Sequence, residues 1–232
     1  MIERILPPYV VAVEVLADVP GARLLPGERS FVADAAEGRR REYASVRHCA
    51  RRALAGLGRP PVPLPPDADG VPRWPDGVVG SMTHCRGGYR ACAVAPRTAA
   101  RAVGVDAEPH RPLREGVLAS VARPGERARL AGLEHTGAAV CWDRLLFCAK
   151  EAVYKAWFPL TRVRLGFHDV DVDFEPRTDV FRARVVGGEP GREPSFRSGR
   201  LTGRWAVGQG VAAAAVVLPS FDIGAGRGKV AS

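Results

Sequence analysis

Lysine is nearly absent from this sequence. The chain has 34 basic side chains in 232 residues, of which 31 are arginines (34 − 3) and only Lys150, Lys155 and Lys229 are lysines. Two of these lysines flank Glu151 in the segment CAKEAVYK, residues 148–155. A guanidinium stays protonated at accessible pH, whereas a lysine ammonium can give up its proton. Lysine at these two positions therefore reflects either chance or a task that arginine cannot perform.

Paired cysteines and long apolar segments are also missing. The five cysteines form no CxxC pair and are odd in number, which argues against a disulfide framework and favours reduced thiols in a cytoplasmic protein. Residues 1–20 carry Glu3, Arg4 and Glu14 and an early Pro-Pro, so we expect neither a signal peptide nor a membrane-spanning segment. The sequence thus predicts a cytoplasmic protein that makes no membrane contact.

The charge balance is basic, whereas the rest of the composition is ordinary. Hydrophobic residues make up 46% and charged residues 25% of the chain, values typical of a globular protein. The net charge of +9 favours an acidic partner, which charge alone leaves open among nucleic acid, a phosphorylated small molecule and an acidic protein. Arginines crowd one face of the segment from Phe31 to Leu57; a solvated helix face explains them as well as a binding surface does.

Hydrophobic patterning predicts a mixture of strands and helices. Helices are expected at residues 31–57, with a break near Gly38, and at 141–158, ending before Pro159. The Ala-, Leu- and Arg-rich stretch from Pro112 to Thr136 suggests short helices and loops. Strands are expected at residues 9–15, 78–84, 89–95, 102–109, 168–174, 181–187 and 202–218.

Two carboxylates share one face of a predicted strand. In VGVDAEP, residues 103–109, alternation places Asp106 and Glu108 on the same side, roughly 7 Å apart. Like charges so placed are unfavourable unless a positive charge lies near them, and Mg²⁺ sites typically use one or two carboxylates together with substrate phosphates. Taken alone, the pair is better explained as two solvated acids at the end of a strand.

The predicted helix at residues 141–158 supplies a third carboxylate. Glu151 and Lys155 are four residues apart and therefore lie on one helical face, where a simple salt bridge would be worth only a few tenths of a kcal/mol. The combination of this acid with two of the three lysines favours a catalytic interpretation over that salt bridge.

The segment GSMTH, residues 80–84, carries groups suited to phosphate binding. Ser81, Thr83 and His84 can all donate hydrogen bonds to phosphate oxygens, and the glycine permits close approach of the backbone. His84 is also compatible with a satisfied loop histidine. A zinc site using His84 with Cys85 and the pair His48 and Cys49 is disfavoured, because these spacings form no recognisable ligand set.

Four motifs in a fixed order resemble one family. The segments RRREYASVRHCARRAL, WPDGVVGSMTH, VGVDAEP and FCAKEAVYKAWFP resemble the Sfp-type 4'-phosphopantetheinyl transferases and look most like the actinobacterial members. The resemblance implies transfer of 4'-phosphopantetheine from coenzyme A to a serine of an apo acyl, peptidyl or polyketide synthase carrier protein, with release of 3',5'-ADP. It further implies a pseudo-dimeric α+β fold, in which one chain forms two similar subdomains, each with a small antiparallel sheet packed on helices, and the active site lies at their interface. Because the two halves of one chain would form the site, we expect a monomer.

The resemblance also implies a domain division and residue roles. The subdomains would span residues 1–102 and 103–218, followed by a loose tail at 219–232. Carried over to this sequence, the family's Mg²⁺ site, which Mn²⁺ could also fill, would be Asp106, Glu108 and Glu151. The contacts to the phosphates of coenzyme A would be Arg39, Arg47, Ser81, Thr83, His84, Lys150 and Lys155. The catalytic residues would be Asp106, Glu151 as the base that takes the serine proton directly or through water, and Lys155 as the residue that neutralises or protonates the leaving group.

One loop departs from the family pattern. Near Pro66, in PLPPDADG, actinobacterial relatives carry a lysine, and Arg73 is the alternative cation in this chain. The stretch from Pro112 to Thr136 is the candidate surface for docking an acidic carrier protein.

Two rival functions stay open from the sequence. A nucleic-acid-binding module built on the arginine-rich helix would show salt-dependent affinity, but it would leave the three acids without a role and lacks an aromatic stacking platform. A non-catalytic coenzyme A binder would keep the pocket, but every acid of the motifs is present.

Overall fold

The computed structural model describes residues 1–135, 139–175, 177–187 and 199–220. Within these ranges, two antiparallel sheets pack on helices, which confirms the expected α+β class. The elements, in chain order, are β1 (Val11–Val15), α1 (Glu37–Gly56), β2 (Val78–His84), β3 (Arg90–Pro96), β4 (Ala100–Pro109), α2 (Val117–Val121), α3 (Pro124–Glu134), α4 (Trp142–Thr161), β5 (Val170–Glu175), β6 (Val180–Val185), β7 (Arg200–Gly208) and β8 (Val211–Pro219).

The N-terminal half is a three-stranded sheet covered by α1. The strand order is β1-β3-β2, and the apolar face of α1 packs on the central strand through small side chains such as Ala50 and Ala53, both fully buried. The predicted helix start at Phe31 is wrong, because Arg29–Val32 forms a 3-10 turn and α1 begins only at Glu37. The preceding segment is fixed instead by the fully buried Glu28, which accepts hydrogen bonds from the backbone of Leu25 and Leu64 and from Arg51.

The C-terminal half is a five-stranded sheet in the order β4-β8-β7-β6-β5. The single strand predicted at residues 202–218 is two strands, because Gln209 and Gly210 both adopt positive φ (53° and 73°) and form the tight turn typical of a hairpin. The expected boundary at 102/103 falls inside β4, the first strand of this sheet. Of the expected tail, residues 221–232 lie outside the described part of the chain.

Helix α4 packs across this sheet and carries the CAKEAVYK segment. The prediction that it ends before Pro159 is wrong, because it continues to Thr161. Pro159 has no N–H to donate to the preceding turn, so one helical hydrogen bond is missing where the helix is about to end. Arg162 then adopts a left-handed conformation and its backbone N–H donates to Phe158 O at 2.9 Å. Among the described residues, no helix is both long and apolar enough to cross a membrane.

Strands β2 and β4 bring the two halves together. The hydroxyl of Ser81 accepts the backbone N–H of Val105 at 3.1 Å, and the hydroxyl of Thr83 accepts that of Ala107 at 3.2 Å. Because both bonds join residues 24 apart in sequence, the two strands run in the same direction. We call this contact the β2–β4 seam; it is made by side-chain oxygens and joins strands that belong to different sheets.

Gly104 allows β4 to lie directly against α4. A Cβ atom at this position would be 2.7 Å from the backbone nitrogen of Ala156 and closer still to the carbonyl oxygen of Ala152. Both neighbours are backbone atoms of a buried helix, so no flexible side chain can move aside. The strand and the helix can reach this separation only with glycine at position 104.

We therefore expect Gly104→Ala to destabilise the protein strongly. Overpacking costs about 1–3 kcal/mol or more, measured as the loss in the free energy of urea unfolding. Gly132→Ala is the matched control, because an added Cβ at Gly132, also in a helix, has no atom within 4 Å and alanine favours helix by up to about 1 kcal/mol. Equal effects of the two substitutions would contradict the close packing at Gly104.

Candidate functional site

Lys155 connects α4 to the seam. Its ammonium donates to Asp106 Oδ1 at 2.7 Å, to Val105 O at 3.2 Å and to Met82 O at 3.5 Å. These acceptors belong to β4 and β2, so one side chain of the C-terminal half reaches both strands. Asp106 is almost fully buried, whereas the Lys155 side chain keeps 27% of its surface exposed. The cation therefore lies between a buried carboxylate and the open side of the seam.

The carboxylate of Asp106 has one oxygen engaged and one without a partner. Oδ1 accepts from Lys155 and also from the Thr83 hydroxyl at 3.1 Å. Oδ2 is buried and has no hydrogen-bond partner among the residues that the structure describes. A buried carboxylate oxygen without a partner is costly, so this atom is a natural ligand for a cation.

Two further acids approach Asp106. Burial and the neighbouring charge of Asp106 raise the pKa of Glu151, with Lys155 acting in the opposite direction. Burial and Asp106 likewise raise the pKa of Glu108, although Arg144 and Lys155 oppose the shift; Arg144 Nη1 lies 3.4 Å from Glu108 Oε2. The negative charge of Asp106 thus makes ionisation of Glu108 and of Glu151 less favourable.

The donor chemistry of these three acids fits a hard divalent cation. Carboxylate oxygens are the ligands that Mg²⁺ prefers, and Asp106 Oδ2 has no hydrogen-bond partner in the described part of the chain. A cation would also offset the burial and repulsion that raise the other two pKa values. The described ranges contain no preassembled group of three or more His, Cys, Asp or Glu side chains around one point. Bringing all three acids onto one ion therefore requires side-chain rearrangement.

Arg39 and His84 meet at one end of the seam. Arg39 Nη1 lies 2.9 Å from His84 Nε2 and also pairs with Glu42, whose Oε1 is 3.3 Å from His84 Nε2. Burial and the charges of Arg39 and Lys155 lower the pKa of His84, against the opposing effect of Glu42. The structure thus brings Arg39 and His84 together, and the side chain of Arg39 is exposed.

Arg47, Ser81 and Thr83 are turned into the fold. The Arg47 guanidinium stacks over the ring of Tyr43 at 3.3 Å and donates to Leu64 O at 3.3 Å, and burial lowers its pKa to about 10. The hydroxyls of Ser81 and Thr83 hold the seam and are buried. The structure therefore gives these three predicted phosphate contacts partners within the protein.

Lys150 faces away from the cluster at Asp106. Its buried ammonium donates to Glu126 Oε2 at 2.7 Å, Val121 O at 2.8 Å and Phe167 O at 2.7 Å. Burial lowers the pKa of Lys150, while Glu126 opposes the shift. Of the two lysines that flank Glu151, one reaches the seam, whereas Lys150 fastens α2 and α3 to α4. The structure therefore does not bring Lys150 to the site as a phosphate contact.

Glu126 is a residue that the sequence interpretation missed. It is almost fully buried; Oε2 accepts from Lys150 and from the backbone of Arg123, and Oε1 accepts from the backbone of Val172. Its position three residues into a helix that has Pro124 at its first turn is typical of a capping glutamate, which was the available signal in the sequence.

Two cavities adjoin the acids. One, of about 270 Å³, is lined by Glu151 and Lys155 and by residues 69–72 of the N-terminal half. The other, of about 490 Å³, lies beside Glu108 and His84. Its wall has four arginines, which are Arg86, Arg111, Arg114 and Arg144. The expected docking region from Pro112 to Thr136 contributes Leu113, Arg114 and Val117 to this cavity, so it supplies one of the four arginines; Thr136 itself lies outside the described residues.

We expect Glu151→Gln to stabilise the metal-free protein. Because the folded-state pKa of Glu151 lies above the ordinary value of 4.5, its protonated form favours folding at low pH and that contribution is lost as the pH rises through the raised pKa. At pH 8 the neutral amide should raise the thermal midpoint by about 2–4 °C, and the gain should vanish at low pH.

Differential scanning calorimetry in a chelating buffer measures the thermal midpoints at pH 8 and at low pH. Glu134→Gln is the control, because Glu134 is exposed on α3 and its substitution should change neither midpoint. A lower midpoint for Glu151→Gln at pH 8 would show that the charge of Glu151 is not a cost in the folded protein.

Comparison with known proteins agrees with this geometry. The 4'-phosphopantetheinyl transferase N-terminal domain matches residues 27–95, and the 4'-phosphopantetheinyl transferase superfamily matches residues 102–215. The first match contains α1, β2 and nearly all of β3, and the second contains most of β4, all of α4 and most of the five-stranded sheet. The seam between β2 and β4 is therefore also the junction of the two matched regions.

Three curated relatives are similar over most of the chain. The 4'-phosphopantetheinyl transferase Svp of Streptomyces mobaraensis is 46% identical over 227 residues, 94% of this chain and 89% of the relative. PptT of Mycobacterium tuberculosis is 46% identical over 210 residues (88% and 90%), and Npt of Nocardia iowensis is 51% identical over 175 residues (75% and 77%). With this identity over this coverage, the chain belongs to the 4'-phosphopantetheinyl transferase superfamily.

Proposed function

We propose that this protein transfers 4'-phosphopantetheine from coenzyme A to a serine of an apo carrier protein and releases 3',5'-ADP. The observation that carries the proposal is the contact of Lys155 with Asp106 at the seam, with Glu108 and Glu151 beside it. In the reaction, the serine oxygen bonds to the phosphorus that carries the pantetheine arm, and the bond from that phosphorus to the oxygen of 3',5'-ADP breaks. A group that removes the serine proton and cations that neutralise the leaving phosphate are therefore needed.

Glu151 is the proposed base. Burial and Asp106 raise its pKa, which moves a carboxylate toward the basicity that suits proton abstraction near neutral pH. Its place on α4, one turn before Lys155, puts base and cation on the same face of one helix. Glu151 would take the serine proton either directly or through a water molecule.

Lys155 is the proposed partner of the leaving group. Its ammonium lies on Asp106 and remains partly exposed, so it can pair with a phosphate oxygen of 3',5'-ADP and supply a proton to it. Arg39 and His84 are the proposed contacts to the remaining phosphates of coenzyme A. Arg47, Ser81, Thr83 and Lys150 have partners inside the protein, and we propose that they support the site by fixing its framework.

Asp106, Glu108 and Glu151 are the proposed holders of Mg²⁺, or of Mn²⁺ in its place. When bound, the ion would neutralise charge on the pyrophosphate oxygens. The residues themselves would orient it, because the hydrogen bond from Thr83 fixes Asp106.

The proposed acceptors are apo acyl, peptidyl or polyketide synthase carrier domains. The arginine-lined cavity beside Glu108 and the net charge of +9 favour an acidic acceptor. Because both halves of the cleft belong to one chain, we propose that the protein acts as a monomer, and we retain the cytoplasm as its proposed location.

Intact-protein mass spectrometry of an apo carrier protein tests the reaction. With coenzyme A and Mg²⁺, we expect the mass of the carrier to rise by one phosphopantetheine group, and we expect no rise with a chelator or with Asp106→Ala, which removes the oxygen without a partner. Asp173→Ala, at an exposed residue of β5, is the control and should retain full transfer.

Failure of the wild-type protein to modify any of several carriers, although it binds coenzyme A, would favour a binder without transferase activity. Native mass spectra of the same samples report whether the protein is a single chain.

Lys155→Arg separates charge from proton donation. Arginine keeps the positive charge but does not release a proton, so the turnover number should fall by about 100-fold or more, the usual contribution of a general acid, while coenzyme A still binds. Single-turnover transfer to the carrier measures this step. Full activity of Lys155→Arg would restrict Lys155 to an electrostatic role.

A further inference from the structure

The loop of residues 65–73, which we call the cavity loop, contains a turn closed by its own hydrogen bonds. Asp67 N donates to Val71 O at 2.8 Å, and the Oδ1 atom of Asp67 accepts from the backbone of Asp69 at 3.0 Å and of Val71 at 2.9 Å. One carboxylate oxygen of Asp67 therefore organises the turn, and the other is free to bond outside the loop.

Arg162 of the C-terminal half binds that second oxygen. Its Nη1 donates to Asp67 Oδ2 at 2.7 Å and to Asp69 Oδ2 at 3.3 Å. Arg162 is the residue that follows α4, where its backbone adopts φ 57°. The contact thus joins the cavity loop of one half to the end of the catalytic helix of the other.

The cavity loop forms one wall of the cavity that contains the proposed catalytic groups. Residues 69–72 face Glu151, Tyr154, Lys155 and Phe158 across a space of about 270 Å³. Arg162 and Asp67 lie outside this lining. Asp69, which Arg162 also contacts, is part of the lining, so the ion pair connects this wall of the cavity to the end of α4.

The identity of residue 162 is unusual for a helix end. Glycine or asparagine ends a helix in the left-handed conformation at lower cost than arginine does, so the side chain must contribute something more. That contribution is not a large gain in stability, because Arg162 is 49% exposed and exposed ion pairs add little. The guanidinium also lies 5.8 Å from the ring centre of Phe158, so Arg162 contacts both the last turns of α4 and the cavity loop.

We propose that Arg162 is a positioning residue that holds the cavity loop over the coenzyme A site through Asp67 and Asp69. This inference rests on the proposed function. With the ion pair in place, the wall of the cavity is formed before the coenzyme binds. Without it, the coenzyme has to order the loop on binding, and affinity for coenzyme A falls while the chemical step at Glu151 and Lys155 is preserved.

The test is steady-state kinetics of carrier modification by Arg162→Asn. Asparagine tolerates the left-handed backbone, so the helix end is preserved while the guanidinium is removed. We expect KM for coenzyme A to rise about three- to tenfold, the size associated with ordering a loop on binding, with kcat changed less than about twofold. Titration calorimetry with coenzyme A should show the same fold-change in Kd.

Two further variants make the test specific. Asp67→Asn retains an oxygen for the turn and should raise KM similarly, and its combination with Arg162→Asn should add little, because residues that act through one contact are not additive. Arg182→Gln is the matched control: Arg182 pairs with Glu175 on the surface of β6 and β5, away from the cavity, and its loss should leave KM unchanged.

The outcomes separate the two proposals. If the wild-type protein modifies carriers but Arg162→Asn has an unchanged KM and an unchanged Kd for coenzyme A, or if kcat falls instead, the positioning role is wrong and the transferase proposal stands. If KM rises only together with a lowered thermal midpoint, Arg162 is structural and the inference is overturned. If the wild-type protein modifies no carrier, the proposed function itself fails.

Discussion

The contact between the backbone of Gly104 and the backbone of α4 fixes the geometry of the whole site. Asp106 lies two residues beyond Gly104 on β4. On α4, Gly104 lies against the backbone of Ala152, which follows Glu151, and of Ala156, which follows Lys155. A side chain at this crossing would separate the strand from the helix and, with them, the carboxylate from the ammonium. A close approach of two backbones thus sets the 2.7 Å distance between Lys155 and Asp106.

Around this crossing, the fold assigns its polar groups to two separate tasks. Ser81, Thr83 and Lys150 satisfy buried backbone groups or a buried acid and hold the framework. Arg39 and His84 keep their polar atoms at the open end of the seam. A charged ligand can therefore reach Arg39 and His84, and also the partly exposed ammonium of Lys155.

The sequence predicted most elements and fewer of the contacts. Strand 78–84 and the helix with CAKEAVYK followed from local patterning, because alternation and helical spacing are properties of neighbouring residues. The role of Lys150 did not, because its partner Glu126 is 24 residues away and the helical pattern alone does not say which neighbour an ammonium meets. Local patterning likewise does not show the partners of the Ser81 and Thr83 hydroxyls, which were predicted to bind phosphate. Their partners on β4 are set by the packing of the two halves.

Sequence patterning predicted the proximity of the three acids better than it predicted the partners of Ser81, Thr83 and Lys150. The structure brings Asp106, Glu108 and Glu151 within electrostatic reach of one another, since burial and the charge of Asp106 raise the pKa of both glutamates. Alternation along a strand and a shared face on a helix were enough for that. The arrangement of each carboxylate relative to a single ion is a matter of side-chain rotamers, which neither pattern determines.

The seam between β2 and β4 has a consequence for how the molecule loses its activity. Its described strand-to-strand hydrogen bonds end on side-chain hydroxyls rather than on a backbone ladder, whereas one buried hydrophobic cluster contains residues of both sheets, among them Ala93 of β3 and Val105 of β4. Apolar packing therefore holds the two halves together. Because Thr83 reaches Asp106 and Lys155 reaches Met82 across this seam, a core substitution that loosens this packing should lower activity even where each sheet keeps its own strand pairing.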